Sequence, residues 1–142
     1  MAGQFQPETG SNIFFTAEEV GNLVVTSQDP LVPSTIFDAG TQFQVRMTVK
    51  FAGILASALM AAPLLLTFTV QAESQGAGFE GQVGTITIPT SPGVFQYAKD
   101  VPCNALTAGV YQLTCVLTTK VGNTPTEIVG FDEVLVQAVH QP

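Results

Sequence analysis

The sequence has very few charged residues, and basic residues are the scarcest. Its 142 residues include four lysines and arginines against eleven aspartates and glutamates, which gives a formal net charge of −7. So few cations cannot neutralise a row of nucleic-acid phosphates, and we therefore expect no nucleic-acid partner. The same deficit excludes binding to an anionic membrane surface through charge.

Residues that carry most catalytic and metal chemistry are also scarce. The chain has one histidine, His140, near its C-terminus, two cysteines and no tryptophan. It has no nucleophile elbow, phosphate-binding loop or histidine-rich metal motif. Asp38 and Asp100 fall where loops could gather calcium ligands, but no Asp-x-Asp pattern accompanies them. We therefore expect no catalytic residue, metal site or cofactor, and predict that the protein is not an enzyme.

The composition nevertheless suits one packed domain. Hydrophobic residues make up 46% of the chain. Charged residues make up 11%, whereas soluble domains typically have roughly 25%. Because charge keeps soluble monomers apart, this surface is weakly protected against self-association. The N-terminal residues lack the features of a secretory signal, so we assign no compartment, although the composition is compatible with an extracellular or particle-associated protein.

Strict alternation predicts antiparallel strands with one buried face. Within residues 41–51, apolar side chains occupy every second position from Phe43 to Phe51, and polar side chains fill all the positions between them. The same period recurs in residues 64–71 and 111–118, and it is typical of strands with one wet face. The predicted inward set is Phe43, Val45, Met47, Val49, Leu66, Phe68, Tyr111, Leu113, Cys115 and Leu117.

Shorter β-rich runs separated by turn residues complete the predicted architecture. Four further strands are expected where such runs occur, at residues 23–27, 83–88, 93–98 and 128–139. Together these segments predict an all-β antiparallel sandwich of seven to nine strands with almost no helix. We divide the chain into an N-terminal arm, residues 1–22, and a sandwich domain, residues 23–142.

The segment from Leu106 to Cys115 carries the most informative motif. A turn that contains Gly109 leads into a strand whose first inward residue is Tyr111. This pattern resembles the tyrosine corner of immunoglobulin-like sandwiches, in which the phenol hydrogen-bonds to backbone a few residues upstream. The resemblance implies an immunoglobulin-like fold over most of residues 23–140. It makes Tyr111 and Cys115 structural residues and names no functional family.

The sequence departs from the antibody type of that fold. The strand that matches strand B has no cysteine to pair with Cys115, and no tryptophan stands in the strand that matches strand C. A disulfide from Cys115 to Cys103 is the open alternative, but the expected separation along the sandwich favours two reduced thiols. These departures point away from antibody-type receptor domains and leave binding, adhesion and assembly modules.

Two apolar segments do not fit a minimal sandwich, one in the N-terminal arm and the other between the first two alternating strands. Residues 51–70 contain no charge over a length that could span a membrane. Alternation on both sides, and Pro63 within the run, favour two strand ends joined by an apolar loop or a short Ala-rich helix. Core, interface and membrane contact are all open for this run, and we favour an interface. The predicted interface residues in this run and in the arm are Ile13, Phe14, Phe15, Ile54, Leu55, Leu59 and Met60.

These features favour a non-enzymatic structural or protein-interaction module. Its expected partners are copies of itself, in a homo-oligomer, or a larger protein assembly, and we do not expect a membrane partner. The alternative is an extracellular adhesion or carbohydrate-binding β-sandwich domain. That alternative predicts exposed aromatic side chains on one face.

Overall fold

Ten strands and one short helix make up the described part of the chain. A computed structural model describes residues 4–5, 16–27, 34–62, 64–121 and 127–140, without the side chains of residues 4, 5, 127 and 128. The elements are β1 (Gln4–Phe5), β2 (Thr16–Glu19), β3 (Val24–Thr26), β4 (Ile36–Asp38), β5 (Phe43–Ala52), α1 (Ala56–Ala61), β6 (Leu65–Ser74), β7 (Gly81–Pro89), β8 (Gln96–Cys103), β9 (Gly109–Lys120) and β10 (Glu127–Val139). Nine of these strands are longer than two residues, and the all-β prediction is confirmed.

The strands form the two sheets of a sandwich. The larger sheet has the order β1-β10-β9-β6-β7, and β4 pairs with β10 as its sixth strand. In the smaller sheet β5 pairs with β2 and β3 at different parts of its length, and with β8. The β4–β10 pair is parallel, and the other described pairs are antiparallel.

The core lies between the sheets and consists of the side chains that alternation predicts. All ten predicted inward residues are buried. They come from both sheets and join one hydrophobic cluster. Arg46 stays on the outer face of β5, where its Nε lies 2.7 Å from a carboxylate oxygen of Asp100 on β8. A register slip of one residue would have buried Arg46, so the predicted register is confirmed.

Some element bounds differ from the prediction. β8 begins at Gln96 and not near residue 93, because Val94 belongs to a turn in which its N–H donates to the Ser91 carbonyl at 3.2 Å. Thr16–Glu19, within the predicted arm, forms β2 and pairs with β5. This part of the arm is therefore held by the sandwich itself, while the boundary at residue 22 stays a prediction.

Tyr111 closes the turn that precedes β9. Its buried hydroxyl donates to the Thr107 carbonyl oxygen at 3.0 Å and lies 2.8 Å from the Thr107 hydroxyl. Gly78 packs so closely on this phenol that a Cβ at that position would overlap the Tyr111 oxygen. The side-chain-to-backbone contact that the motif predicts is therefore present.

We expect Tyr111→Phe to lower the free energy of unfolding by about 0.5–1.5 kcal/mol, because the Thr107 carbonyl loses the hydrogen bond that the Tyr111 hydroxyl donates. Thr107→Val is the matched control, since it removes the neighbouring hydroxyl and keeps the carbonyl bond, and its loss should be smaller. Chemical denaturation of the three proteins measures both effects. Equal midpoints for Tyr111→Phe and the parent would show that the hydroxyl does not stabilise the turn.

Candidate interaction surface

The apolar connection between β5 and β6 forms one end of the sandwich. Gly53, at φ 108°, turns the chain out of β5 and into α1. Ile54 and Leu55, which precede the helix, are 69% and 48% exposed. These two predicted interface residues therefore present their side chains to solvent.

The inner side of α1 belongs to the core. Met60 is fully buried, together with Ala56 one turn earlier, because residues four apart lie on the same face of a helix. Leu59 is half-buried and packs against the same cluster. Met60, which the sequence predicts at an interface, therefore lies in the core of the folded chain, and Leu59 presents only part of its side chain.

Thr90 fixes this connection to the end of β7. Its buried hydroxyl donates to the Met60 carbonyl and accepts from the Leu64 N–H, both at 2.9 Å. The Thr90 N–H in turn donates to the Leu64 carbonyl at 2.9 Å. Nothing in the sequence indicates this role of Thr90, because a threonine in a Pro- and Ser-rich turn carries no signal of burial.

The turn after β7 lies beside the same connection. The hydroxyl of Tyr97 accepts from the Ser91 N–H at 2.9 Å and donates to the Val94 carbonyl at 2.5 Å, so it holds this turn closed. The Phe51 N–H donates to the Phe95 carbonyl at 2.8 Å, which sets the turn against the last residues of β5.

Four exposed aliphatic side chains belong to this end of the molecule. They follow β5, begin β6 or stand in the turn that Tyr97 closes, and more than a third of each is exposed. We call them the apolar end: Ile54, Leu55, Leu65 and Val94. The other predicted interface residues, Ile13, Phe14 and Phe15, lie outside the described residues.

Both cysteines are free and buried in the core. Burial raises the pKa of the Cys103 thiol to about 12. Burial also raises the pKa of the Cys115 thiol to about 12, and the electrostatic effects of Cys103, Glu19 and Asp132 raise it further. The prediction of reduced thiols is confirmed, and both thiols keep their protons at neutral pH.

The remaining candidate ionisable groups have structural or solvent contacts. The Asp132 carboxylate is buried and accepts from the backbone N–H of Leu23 at 3.3 Å and of Glu133 at 2.8 Å. His140 is exposed just beyond β10. Among the described residues, no three His, Cys, Asp or Glu side chains are grouped as metal ligands, and no helix has the length and apolar character to cross a membrane.

The comparisons with known proteins identify a fold but no family. No protein-family model matches the chain. No curated protein matches it either. Among solved structures, the crystal structure of the C-terminal domain of wzt is similar, with a TM-score of 0.56 and 11% sequence identity over 97% of this chain and 82% of that chain. At this identity the likeness extends to the fold alone.

Thr90→Val should lower the free energy of unfolding by about 1–3 kcal/mol, because the Leu64 N–H loses its buried acceptor and the Met60 carbonyl loses its donor. Thr87→Val makes the same chemical change at an exposed position of β7 and should have little effect. Denaturant titration of both variants provides the comparison. Equal losses would show that the Thr90 hydroxyl does not stabilise the connection.

The raised thiol pKa values predict a loss of stability at alkaline pH. The pKa of a cysteine in the unfolded chain is about 8.5, whereas the pKa values of Cys103 and Cys115 in the folded chain are about 12. Their contribution is therefore complete below the unfolded pKa and is lost as pH rises towards the folded pKa. Cys115→Ala should flatten the decline of unfolding free energy over this window. An unchanged slope would contradict the assignment.

Proposed function

We propose that the protein is a non-enzymatic structural or interaction module that assembles with copies of itself or docks into a larger protein assembly through the apolar end. The observation that carries the proposal is the exposure of Ile54 and Leu55 on a connection that Thr90 and Met60 hold in place. An exposed apolar surface on a fixed support is a common mark of a protein-binding site.

The fixed connection reduces the cost of binding. Each Å² of apolar surface that a partner covers contributes roughly 25 cal/mol. A flexible loop would lose conformational entropy on docking, whereas α1 is already ordered by its buried side and by the Thr90 hydrogen bonds. The apolar end therefore suits rigid docking against another apolar surface.

The strand pairing and the Tyr111 contact support membership of the immunoglobulin-like group. In the immunoglobulin-like fold, strand B pairs with E, C pairs with F, and F pairs with G. The same pairs form here if β5, β6, β8, β9 and β10 are matched to B, C, E, F and G in that order. The Tyr111 hydroxyl bonds to backbone four residues upstream. Because this fold hosts many unrelated functions, the proposal rests on the surface and not on the fold.

The state of the thiols supports a non-enzymatic role. A cysteine acts as a nucleophile through its thiolate, and catalytic thiolates lie in electropositive, partly exposed surroundings. Cys103 and Cys115 have the opposite surroundings, since both are buried and Cys115 has the carboxylates of Glu19 and Asp132 as neighbours. Both thiols therefore act as small apolar core residues.

The outer face of the larger sheet favours a second candidate function, adhesion or carbohydrate binding. Thr67 and Thr87 place their hydroxyl oxygens 2.9 Å apart, and Thr69 and Thr85 place theirs 3.2 Å apart. Such uncharged hydroxyls suit hydrogen bonding to a neutral sugar. Phe79 is the one markedly exposed aromatic side chain within the described ranges, at 49%. The aromatic face that this candidate predicts is therefore not formed there, and the assembly proposal ranks first.

Light scattering of the full chain across a range of concentrations tests the proposal. We expect the parent to exceed the monomer mass at high concentration, and Ile54→Ser/Leu55→Ser to shift it towards the monomer with an unchanged β-sheet circular dichroism spectrum. Ile36→Ser/Leu135→Ser is the matched control. It removes two aliphatic side chains, each 59% exposed, from the outer face of the larger sheet.

Two results would contradict the proposal. One is an assembly that dissociates in the Ile36→Ser/Leu135→Ser control and persists in Ile54→Ser/Leu55→Ser, because the interface would then lie on the sheet. The other is a parent that stays monomeric at every concentration, captures no protein partner and binds an immobilised neutral polysaccharide. That result would favour the adhesion or carbohydrate-binding candidate.

A further inference from the structure

The outer edge of β7 is open in the described part of the structure. β7 is the last strand of the larger sheet and pairs with β6 on one side. On its other side the described residues supply one backbone hydrogen bond, from the Asn104 N–H to the Val83 carbonyl at 2.9 Å. Gly84 lies close to the Pro102 carbonyl of β8, and from Thr85 to Pro89 no described strand pairs with that edge.

Two other strands at the sides of the sheets are covered or carry residues that oppose pairing. At the far side of the larger sheet, β10 is paired by both β1 and β4. The neighbouring edge strand of the smaller sheet, β8, contains Lys99, Asp100 and Pro102. Charged residues and proline are the usual means by which proteins block pairing at an edge.

β7 lacks charged residues, and its centre favours pairing. Its nine residues contain no charge, and the run from Thr85 to Ile88 consists entirely of β-branched residues. Thr85 and Thr87 are exposed on the outer face, while Ile86 and Ile88 are half-buried and pack against the core. In this run, the outer face therefore carries only threonines and the inner face only isoleucines.

We propose that β7 pairs antiparallel with β7 of a second copy of this chain, so that two larger sheets join into one continuous sheet. An antiparallel pairing centred on Ile86 sets Thr85 opposite the partner's Thr87 and Ile86 opposite the partner's Ile86. The two faces match, because residues of the same parity meet across the contact. This inference rests on the proposed self-assembly and assigns it a second surface.

The absence of charge on β7 supports a second copy as the partner. Two copies of net charge −7 repel each other, and in a two-fold contact a charged edge residue would also lie close to the same charge on the partner. β7 adds no such local repulsion, because it carries no charge over its whole length. The threonine pairs between β6 and β7, Thr67–Thr87 and Thr69–Thr85, would continue across the contact on its outer face. The half-buried isoleucines would be covered on its inner face.

Lysine substitution on the two exposed edge threonines tests the pairing. In Thr85→Lys/Thr87→Lys, four lysines would meet across the contact, so we expect the mass measured by light scattering at high concentration to fall by at least a factor of two. Thr114→Lys/Thr118→Lys is the matched control, because it adds the same charge to the same face two strands from the edge. The control should keep the parent mass.

A spin label provides a second measurement that does not depend on breaking the contact. Both native cysteines are buried, so a nitroxide can be attached selectively at Thr87→Cys. Antiparallel pairing brings the two labels close together, and we expect dipolar broadening of the spectrum at high concentration. The same label at Thr118→Cys, two strands away, should show much weaker broadening.

The outcomes separate this inference from the proposed function. An assembling parent whose mass is unchanged by Thr85→Lys/Thr87→Lys, and whose Thr87→Cys label shows no broadening, would overturn the pairing and leave assembly through the apolar end intact. A parent that is monomeric at every concentration would overturn self-assembly and the pairing together. Broadening at Thr87→Cys, together with a mass that the lysines lower at least twofold, would establish the pairing.

Discussion

β9 is the strand on which the rest of the sandwich depends. It pairs with β6 on one side and β10 on the other, and every second side chain from Tyr111 to Thr119 is buried between the sheets. Burial of one large aliphatic side chain contributes about 1.5–3 kcal/mol, so a register error along β9 would remove several such contributions together. The Tyr111 hydroxyl bond to Thr107 fixes where this alternation begins.

A core set by β9 stabilises the sandwich without a covalent link between the sheets. Cys115 faces inward from β9, with Val70 of β6 and Asp132 of β10 as its cross-strand neighbours. A chain of 142 residues buries enough surface for stability without a disulfide. The thiol then contributes by packing, and the raised pKa keeps it uncharged in an apolar environment.

Alternation predicted the core because successive side chains of a strand point to opposite faces of the sheet, so every second residue faces the core. β5, β6 and β9 are long enough for that signal to exceed chance. β2 and β4 have four and three residues, so their existence depends on the neighbouring strand and not on a local pattern. The burial of Met60 could not be predicted for a related reason. An apolar residue in a short helix gives the same sequence signal whether its side chain faces the core or the solvent.

The low charge of the chain fits the uncharged character of its two exposed surfaces, the apolar end and the β7 edge. A surface that stays in water gains solubility from lysine and glutamate, whereas one that another chain covers would have to desolvate them. The apolar end and the β7 edge are built from uncharged side chains on supports that are already ordered, Thr90 and Met60 for the first and β6 for the second. A two-fold contact along β7 closes on itself, so growth beyond a dimer needs a second surface elsewhere on the chain. In the proposed assembly the apolar end would be that surface, and the two together would allow an extended assembly.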